Sequence, residues 1–398
     1  MKRDIIKLLL LIFIPLLSIT RAYAQLSDSA DISIITVSPS DEEVYTLYGH
    51  TSLRVKDSVN KIDLAFNYGI FDFSKPNFIY RFTKGETDYR LEAYPFSYFI
   101  SEYEMRGGEV VEQVLNLSSE EKNRIWDALL VNMRPENKVY RYNFFFDNCA
   151  TRPLDIISKG VNGELIAPSG PSGKSFRDII NYSTRNHPWL TFGCDLALGA
   201  PTDTLISKRD ELFLPKYTME GIDKSEILSP NGELKPLVFE KRHLTTEAHI
   251  DRESGLLDWA TPNVVCWSFL VITLLITIYQ WKTRKYNPTF DCLLFFAAGL
   301  GGVVLWFLCF VSTHPCTSHN WNILWLQPFD LFAVILFIVK RLRKMAFYYH
   351  FINFATLTAM LLGWSFIPQH LNVAFLPLVI SIWIRSGYGI YREIWNTK

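Results

Sequence analysis

Tyr48-Gly49-His50-Thr51-Ser52-Leu53-Arg54-Val55, then Lys56-Asp57-Ser58-Val59-Asn60-Lys61, then Ile62-Asp63-Leu64-Ala65-Phe66-Asn67-Tyr68, reads as two strands joined by a polar turn. Apolar residues alternate in 51–55 and again in 62–68, the period of a half-buried hairpin. His50 stands at the mouth of the first strand. With the turn centred between Ser58 and Val59, paired residue numbers sum to 117 and His50 faces Asn67. A slipped register would nominate Asp72 instead.

Further strands are expected at 31–37, 89–93 and 109–117. Ser118-Ser119-Glu120-Glu121 carries a capping box that opens a helix running to Met133. The aromatic stretch 140–146 reads as a turn or short strand. It leads into a helix over 149–158, with Asp147 or Asn148 as cap and Pro153 tolerated in the first turn. Two more helices are expected at 173–185 and 189–199. The class is α+β: a small antiparallel sheet packed by helices.

The chain has 398 residues, 40 basic and 40 acidic, yet the balance is uneven. Residues 1–24 carry four bases and one acid, residues 25–262 carry 26 bases and 36 acids, and residues 263–398 carry ten bases and three acids. An acidic soluble part argues against a nucleic-acid binder. Lys2, Arg3 and Lys7, the apolar run 8–17 and Ala22-Tyr23-Ala24 read as a secretory signal, with the mature chain starting at Gln25. A domain then occupies 25–262.

From residue 263 a membrane domain is expected. Five apolar runs, 264–281, 290–312, 323–339, 350–367 and 372–391, suggest five transmembrane helices. Lys282, Arg284 and Lys285 fill the first connection, and Lys340, Arg341, Arg343 and Lys344 the third. The second and fourth carry no Lys or Arg. The positive-inside rule puts 25–262 and the 312–322 loop outside and the C-terminus in the cytoplasm, with Arg385 able to snorkel toward it. Trp321 and Trp325 are expected as interfacial belt residues. Asp330 is an intramembrane carboxyl, a costly feature. The outer loop His314-Pro315-Cys316-Thr317-Ser318-His319-Asn320-Trp321-Asn322 is dense in hydrogen-bonding side chains.

Six cysteines are present, with no CxxC pair and no Cys/His metal spacing, so no metal or other cofactor is expected. Cys194, in an apolar helical stretch, reads as packing. Cys149 stands at a helix start, where the dipole and free amides stabilise a thiolate and hold an oxyanion. A histidine base needs a group that fixes its tautomer. Cys149, His50 and Asn67 therefore form a nucleophile, base and orienting group.

Tyr48-Gly49-His50-Thr51, Phe66-Asn67-Tyr68-Gly69-Ile70-Phe71-Asp72-Phe73 and Phe146-Asp147-Asn148-Cys149-Ala150-Thr151-Arg152 resemble the outer domain of the Lnb-type lipoprotein N-acyltransferases. The Thr313-His314-Pro315 and Asn320-Trp321-Asn322 stretch resembles them too. The resemblance implies a permuted papain-like fold of the NlpC/P60 type, set in the bacterial inner membrane. It implies that Cys149 takes an acyl chain from a membrane phospholipid and passes it to the free α-amino group of a diacylglyceryl lipoprotein. Tyr48, Asp72, Asn148, His314, His319, Asn320 and Asn322 are the candidate supporting residues. Two other readings stay open. One is a membrane-tethered cysteine hydrolase of cell-wall peptides. The other is a non-enzymatic membrane assembly factor in which His50 and Cys149 are core residues.

Overall fold

The hairpin forms, one step out of the expected register. In the computed structural model, which describes residues 25–246 and 258–396, strand β2 (His50–Asp57) pairs with β3 (Ile62–Ile70). Leu53 lies opposite Phe66 and Asp57 opposite Ile62, so paired numbers sum to 119. Asp57 explains the shift: its carboxylate accepts from the backbone of Val59 and Asn60, closing the turn one residue later than expected. The expected secretory signal, 1–24, lies outside the described residues.

Around the hairpin stand β1 (Asp31–Val37), β4 (Asp88–Pro95), β5 (Val110–Leu115) and β6 (Val139–Arg141). After them come β7 (Glu164–Ile166), β8 (Pro171–Ser175), β9 (Leu205–Ser207), β10 (Glu226–Leu228), β11 (Leu234–Pro236) and β12 (Val238–His243). The main sheet is antiparallel, in the order β12-β5-β1-β2-β3-β4-β6. Strand β1 is buried on both faces, Ser33 and Thr36 included. Ile32 and Ile34 join Leu53, Phe66, Ile125, Leu129, Leu154 and Ile157 on the side of the Ser119–Asn132 and Thr151–Gly160 helices. Ile35 and Val37 pack with Ala65, Phe96 and Phe99 on the side of the Phe96–Met105 helix. The capping box at Ser118 and Glu121 is present in both directions.

The expected helix 173–185 is shorter. Residues 171–175 form β8, and a second capping box, Ser175 with Asp178, starts the helix at Phe176. The expected helix at 189–199 runs Pro188–Ala197. The short Phe78–Lys84 helix and the Phe96–Met105 helix are additional to the expected elements.

The C-terminal part is helical: Pro262–Thr283, Thr289–Phe310, Asp330–Ile338, Arg343–Leu362 and Phe375–Asn396. The five-span expectation is corrected, because among the described residues three helices are long and apolar enough to cross a membrane: 262–283, 289–310 and 340–362. The third apolar run is broken by a 3₁₀ turn at Trp321–Leu324 and by Pro328, leaving nine helical residues. At 1.5 Å per residue that is about half of the ~30 Å core. The last helix carries Arg385, Arg392 and Glu393. Arg385 is fully buried and does not snorkel. It pairs with Asp291 at 2.9 Å and donates to Thr277 and Gln280. Trp325 is not a belt residue either: it is buried, its indole donating to Asn322. Asp330 accepts from the Tyr349 hydroxyl at 2.6 Å, the satisfied arrangement that an intramembrane carboxyl requires.

Candidate active site

His50 Nε2 lies 2.6 Å from Asn67 Oδ1. The partner is the expected one although the register is not. A change of two in the pairing sum keeps Asn67 on the same face and moves it from opposite His50 to the diagonal, still within reach. The residue opposite His50 is then Gly69, where a bulge interrupts the β3–β4 pairing. Gly69 has φ +96°, and a Cβ built there would come 3.7 Å from Cβ of Cys149. The left-handed backbone, and not a lack of room, favours glycine here, and it sets Gly69 in contact range of Cys149.

Asn67 Nδ2 donates to the Tyr94 hydroxyl at 2.7 Å, which fixes the amide so that Oδ1 faces the imidazole. An acceptor at Nε2 requires the proton there, so the Nδ1 lone pair is left to serve as a base. The Tyr103 ring stacks on His50 with centroids 6.3 Å apart and planes 18° apart. Tyr94 and Tyr103 escaped the sequence reading. Their signal is the aromatic density of 94–103, which reads equally well as core. Burial, against the Asn67 hydrogen bond and with help from nearby Arg106, lowers the His50 pKa to about 4, so the ring is neutral at pH 7.

Cys149 is a partly buried free thiol two residues before the Thr151–Gly160 helix. Asn148 sets the turn. Its Oδ1 accepts from the backbone N–H of Ala150 (2.8 Å) and Thr151 (3.0 Å), and its Nδ2 donates to the carbonyls of Phe144 and Phe213. The expected cap at Asp147 or Asn148 is corrected: the N-cap is Ala150, which has no side-chain cap bond, and Asn148 closes the turn just ahead of it. Asp147 instead holds Arg152 in a two-point ion pair, with the guanidinium over the Tyr140 ring.

Burial works against the expected thiolate. Burial pushes the Cys149 thiol up to about 11, although the backbone N–H groups of Thr51 and Cys149 itself favour the anion. The first amides of the helix are already taken by Asn148, so they are not free to stabilise sulfur. The resting pair is thus a neutral thiol and a neutral imidazole with no hydrogen bond between them. Alkylation of Cys149 by iodoacetamide, read by peptide mass spectrometry, should be slow at pH 7 and rise about tenfold per pH unit toward pH 11. Fast alkylation at pH 7 would show an ion pair instead.

Asp72 is not a partner of His50; its carboxylate accepts from the backbone and hydroxyl of Ser74. Accordingly, Asn67→Ala should lower the rate of any His50-dependent reaction by about 10- to 100-fold through loss of orientation. Asp72→Ala should leave it within about twofold. The two rate constants, measured side by side, decide between them. Tyr48 packs edge-on against Phe144 at 5.0 Å, and burial beside Cys194 pushes its hydroxyl well above the usual range.

The outer loop residues are not brought to Cys149. Asn320 Nδ2 donates to the Leu196 and Ala197 carbonyls and Asn322 Nδ2 to those of Asp195 and Leu196. Both asparagines thereby satisfy the C-terminal carbonyls of the Pro188–Ala197 helix, which has no glycine cap. His314 contacts the Phe82 carbonyl at 2.8 Å, and His319 contacts Ser318. The loop joins the two halves of the chain. No group of three or more metal-ligating side chains occurs among the described residues.

A cysteine beside an asparagine-oriented histidine, in a domain bolted onto membrane helices, defines a membrane-bound protein with a cysteine–histidine site. Two family models match the chain: the Lnb N-terminal periplasmic domain over residues 20–178 and the Lnb transmembrane domain over residues 252–395. The chain belongs to the Lnb family, which implies a lipoprotein N-acyltransferase-like function. It is a membrane protein with a periplasmic N-terminal domain. No curated protein and no solved structure matches it.

Proposed function

We propose that the chain transfers a fatty acyl group from a membrane glycerophospholipid to the α-amino group of a diacylglyceryl-cysteine lipoprotein through a thioester on Cys149. The observation that carries this reading is the His50–Asn67 contact at 2.6 Å beside Cys149, in a domain of the Lnb family. His50 Nδ1 takes the thiol proton as sulfur attacks the ester carbonyl. The carbon–oxygen bond of the ester breaks, the proton passes to the departing alkoxide, and a lysophospholipid leaves. The lipoprotein amine then attacks the thioester. Its proton goes through His50 to sulfur as the carbon–sulfur bond breaks, leaving an amide and the free thiol. Because the resting thiol is neutral, the base acts during attack and not before it.

Both substrates are lipids, and a site docked on membrane helices turns a bulk encounter into a two-dimensional one. The histidine strand ahead of the cysteine helix supports a permuted papain-like domain. The basic connections support an inner-membrane chain with its C-terminus in the cytoplasm. Incubating the pure protein with phospholipid alone tests the reading. One fatty-acyl mass should appear on the Cys149 peptide. Neutral hydroxylamine should remove it, and so should a diacylglyceryl-cysteine peptide with a free amine. Loading by wall peptides and not by phospholipid would make the protein a hydrolase.

A further inference from the structure

The Phe78–Lys84 helix lies against the membrane helices and leaves its apolar side chains uncovered. Ile79 is 80% exposed and Phe73 65%, and Tyr80 and Phe82 are also exposed. Outward-facing aromatic and branched residues in such a cluster are costly in water and mark a surface that something covers. What covers it is set by the helix's anchors. The Tyr80 ring meets Phe307, in the last turn of the membrane-crossing 289–310 helix, at 5.9 Å. The loop that follows that helix clamps the other end: Ser312 Oγ donates to the Thr83 carbonyl, Thr313 N to that of Lys84, and His314 contacts that of Phe82. Gly85 permits the clamp, since a Cβ there would come 2.7 Å from Thr313 Oγ1. The helix is therefore held at the level where a membrane span ends, which is the lipid headgroup region.

From this helix an aromatic row leads inward. Phe82 stacks on Phe78, Phe78 meets Phe73 at 4.9 Å and Phe71 at 6.2 Å, and Phe71 stacks on Tyr89 at 5.0 Å. Tyr89 belongs to the core cluster on which Phe71 and Cys149 both pack. The geometry points to the Phe78–Lys84 helix as an interfacial helix sunk in the outer leaflet. Phe82, Phe78, Phe73 and Phe71 form the apolar path along which a phospholipid acyl chain reaches Cys149. The cationic side chains of the helix are paired, Arg81 with Asp88 and Lys84 with Glu86. This inference rests on the acyltransferase reading for its cargo but not for the membrane position.

Two measurements separate the parts. The first places a photo-crosslinking amino acid at position 79 or 73 of the full chain, in vesicles of phosphatidylethanolamine and phosphatidylglycerol. The control position is Val59, equally uncovered but at the far end of the hairpin, roughly 25 Å from His50 at ~3.3 Å per residue. Lipid adducts should form at 79 and 73 at least tenfold more than at 59. Equal labelling at 59 and 79, or none at 79, overturns the membrane position. The second measures acyl loading of Cys149 from vesicle phospholipid and from a water-soluble short-chain thioester, for the parent and for Ile79→Asp with Phe82→Asp. The vesicle-to-soluble ratio should fall at least tenfold. An unchanged ratio overturns the path. If neither donor loads the parent while position 79 still crosslinks to lipid, the acyltransferase reading fails and the interfacial helix stands.

Discussion

Cys149→Ser and His50→Ala should each bring acyl transfer down by at least about a thousandfold, to the background of a bound but unactivated substrate. Serine keeps the size and the hydrogen bonds of the thiol. However, its hydroxyl is a poorer nucleophile, and a histidine whose pKa is lowered to about 4 is a weak base for it. Alanine at 50 removes the proton acceptor and leaves Asn67 Oδ1 without its donor, yet Asn67 keeps its bond to the Tyr94 hydroxyl. His50 is the first residue of β2 and Cys149 precedes its helix, so both changes fall at element ends and both variants should melt within a few degrees of the parent. The pair should also be non-additive: the double variant should be no slower than either single one, because the two residues act in one step. Transfer within tenfold of normal by purified Cys149→Ser would remove the thioester from the mechanism. In the parent, Cys149 loading should be flat from about pH 6 to pH 9. It should fall as the pH drops toward 4, where His50 becomes protonated and can no longer accept the thiol proton.

The sequence made the His50–Asn67 pair legible because a hairpin is local. Seventeen residues separate the two, and the period of two fixes the face even when the turn is misplaced by one step. Cys149 was legible as a helix-start thiol, but its protonation state was not. The state depends on what buries it and on whether the first helical amides are free, and Asn148 has used them. The polar 314–322 loop announced itself through its side chains. Its partners were hidden, because they are backbone carbonyls of a helix some 125 residues earlier, and a carbonyl has no letter in a sequence. Hydropathy found every C-terminal helix and overcounted the spans. A run of apolar residues does not reveal that Pro328 cuts one helix short, or that Arg385 in the last is cancelled by Asp291 of another.

The largest expected loss of stability lies away from the thiol, at Arg177. Its guanidinium is buried and bonds to Asp195 at 3.0 Å, Asp203 at 2.8 Å, the carbonyls of Leu198 and Gly199, and the Thr202 hydroxyl. Asp195 is equally buried, and its other oxygen accepts from Asn372 of the membrane half at 2.8 Å. The same helix end is held by Asn320 and Asn322, and Gln369 donates to the Leu198 carbonyl. One cation therefore neutralises the carboxylate on which the two halves of the chain meet. Arg177→Met keeps the apolar stem and removes the charge, leaving the buried Asp195 carboxylate without its cation. Such an orphaned buried charge costs about 3–5 kcal/mol. The thermal midpoint of the detergent-solubilised protein should drop by roughly 6–20 °C at ~2–4 °C per kcal/mol. Protease should cut between the two halves sooner. Removing the carboxylate as well, in Arg177→Met with Asp195→Leu, should recover more than half of the loss. The penalty comes from the stranded charge and not from the absent ion pair. A single variant that melts like the parent would show that this cluster does not hold the joint. A double variant worse than the single would show that Asp195 acts chiefly through Asn372.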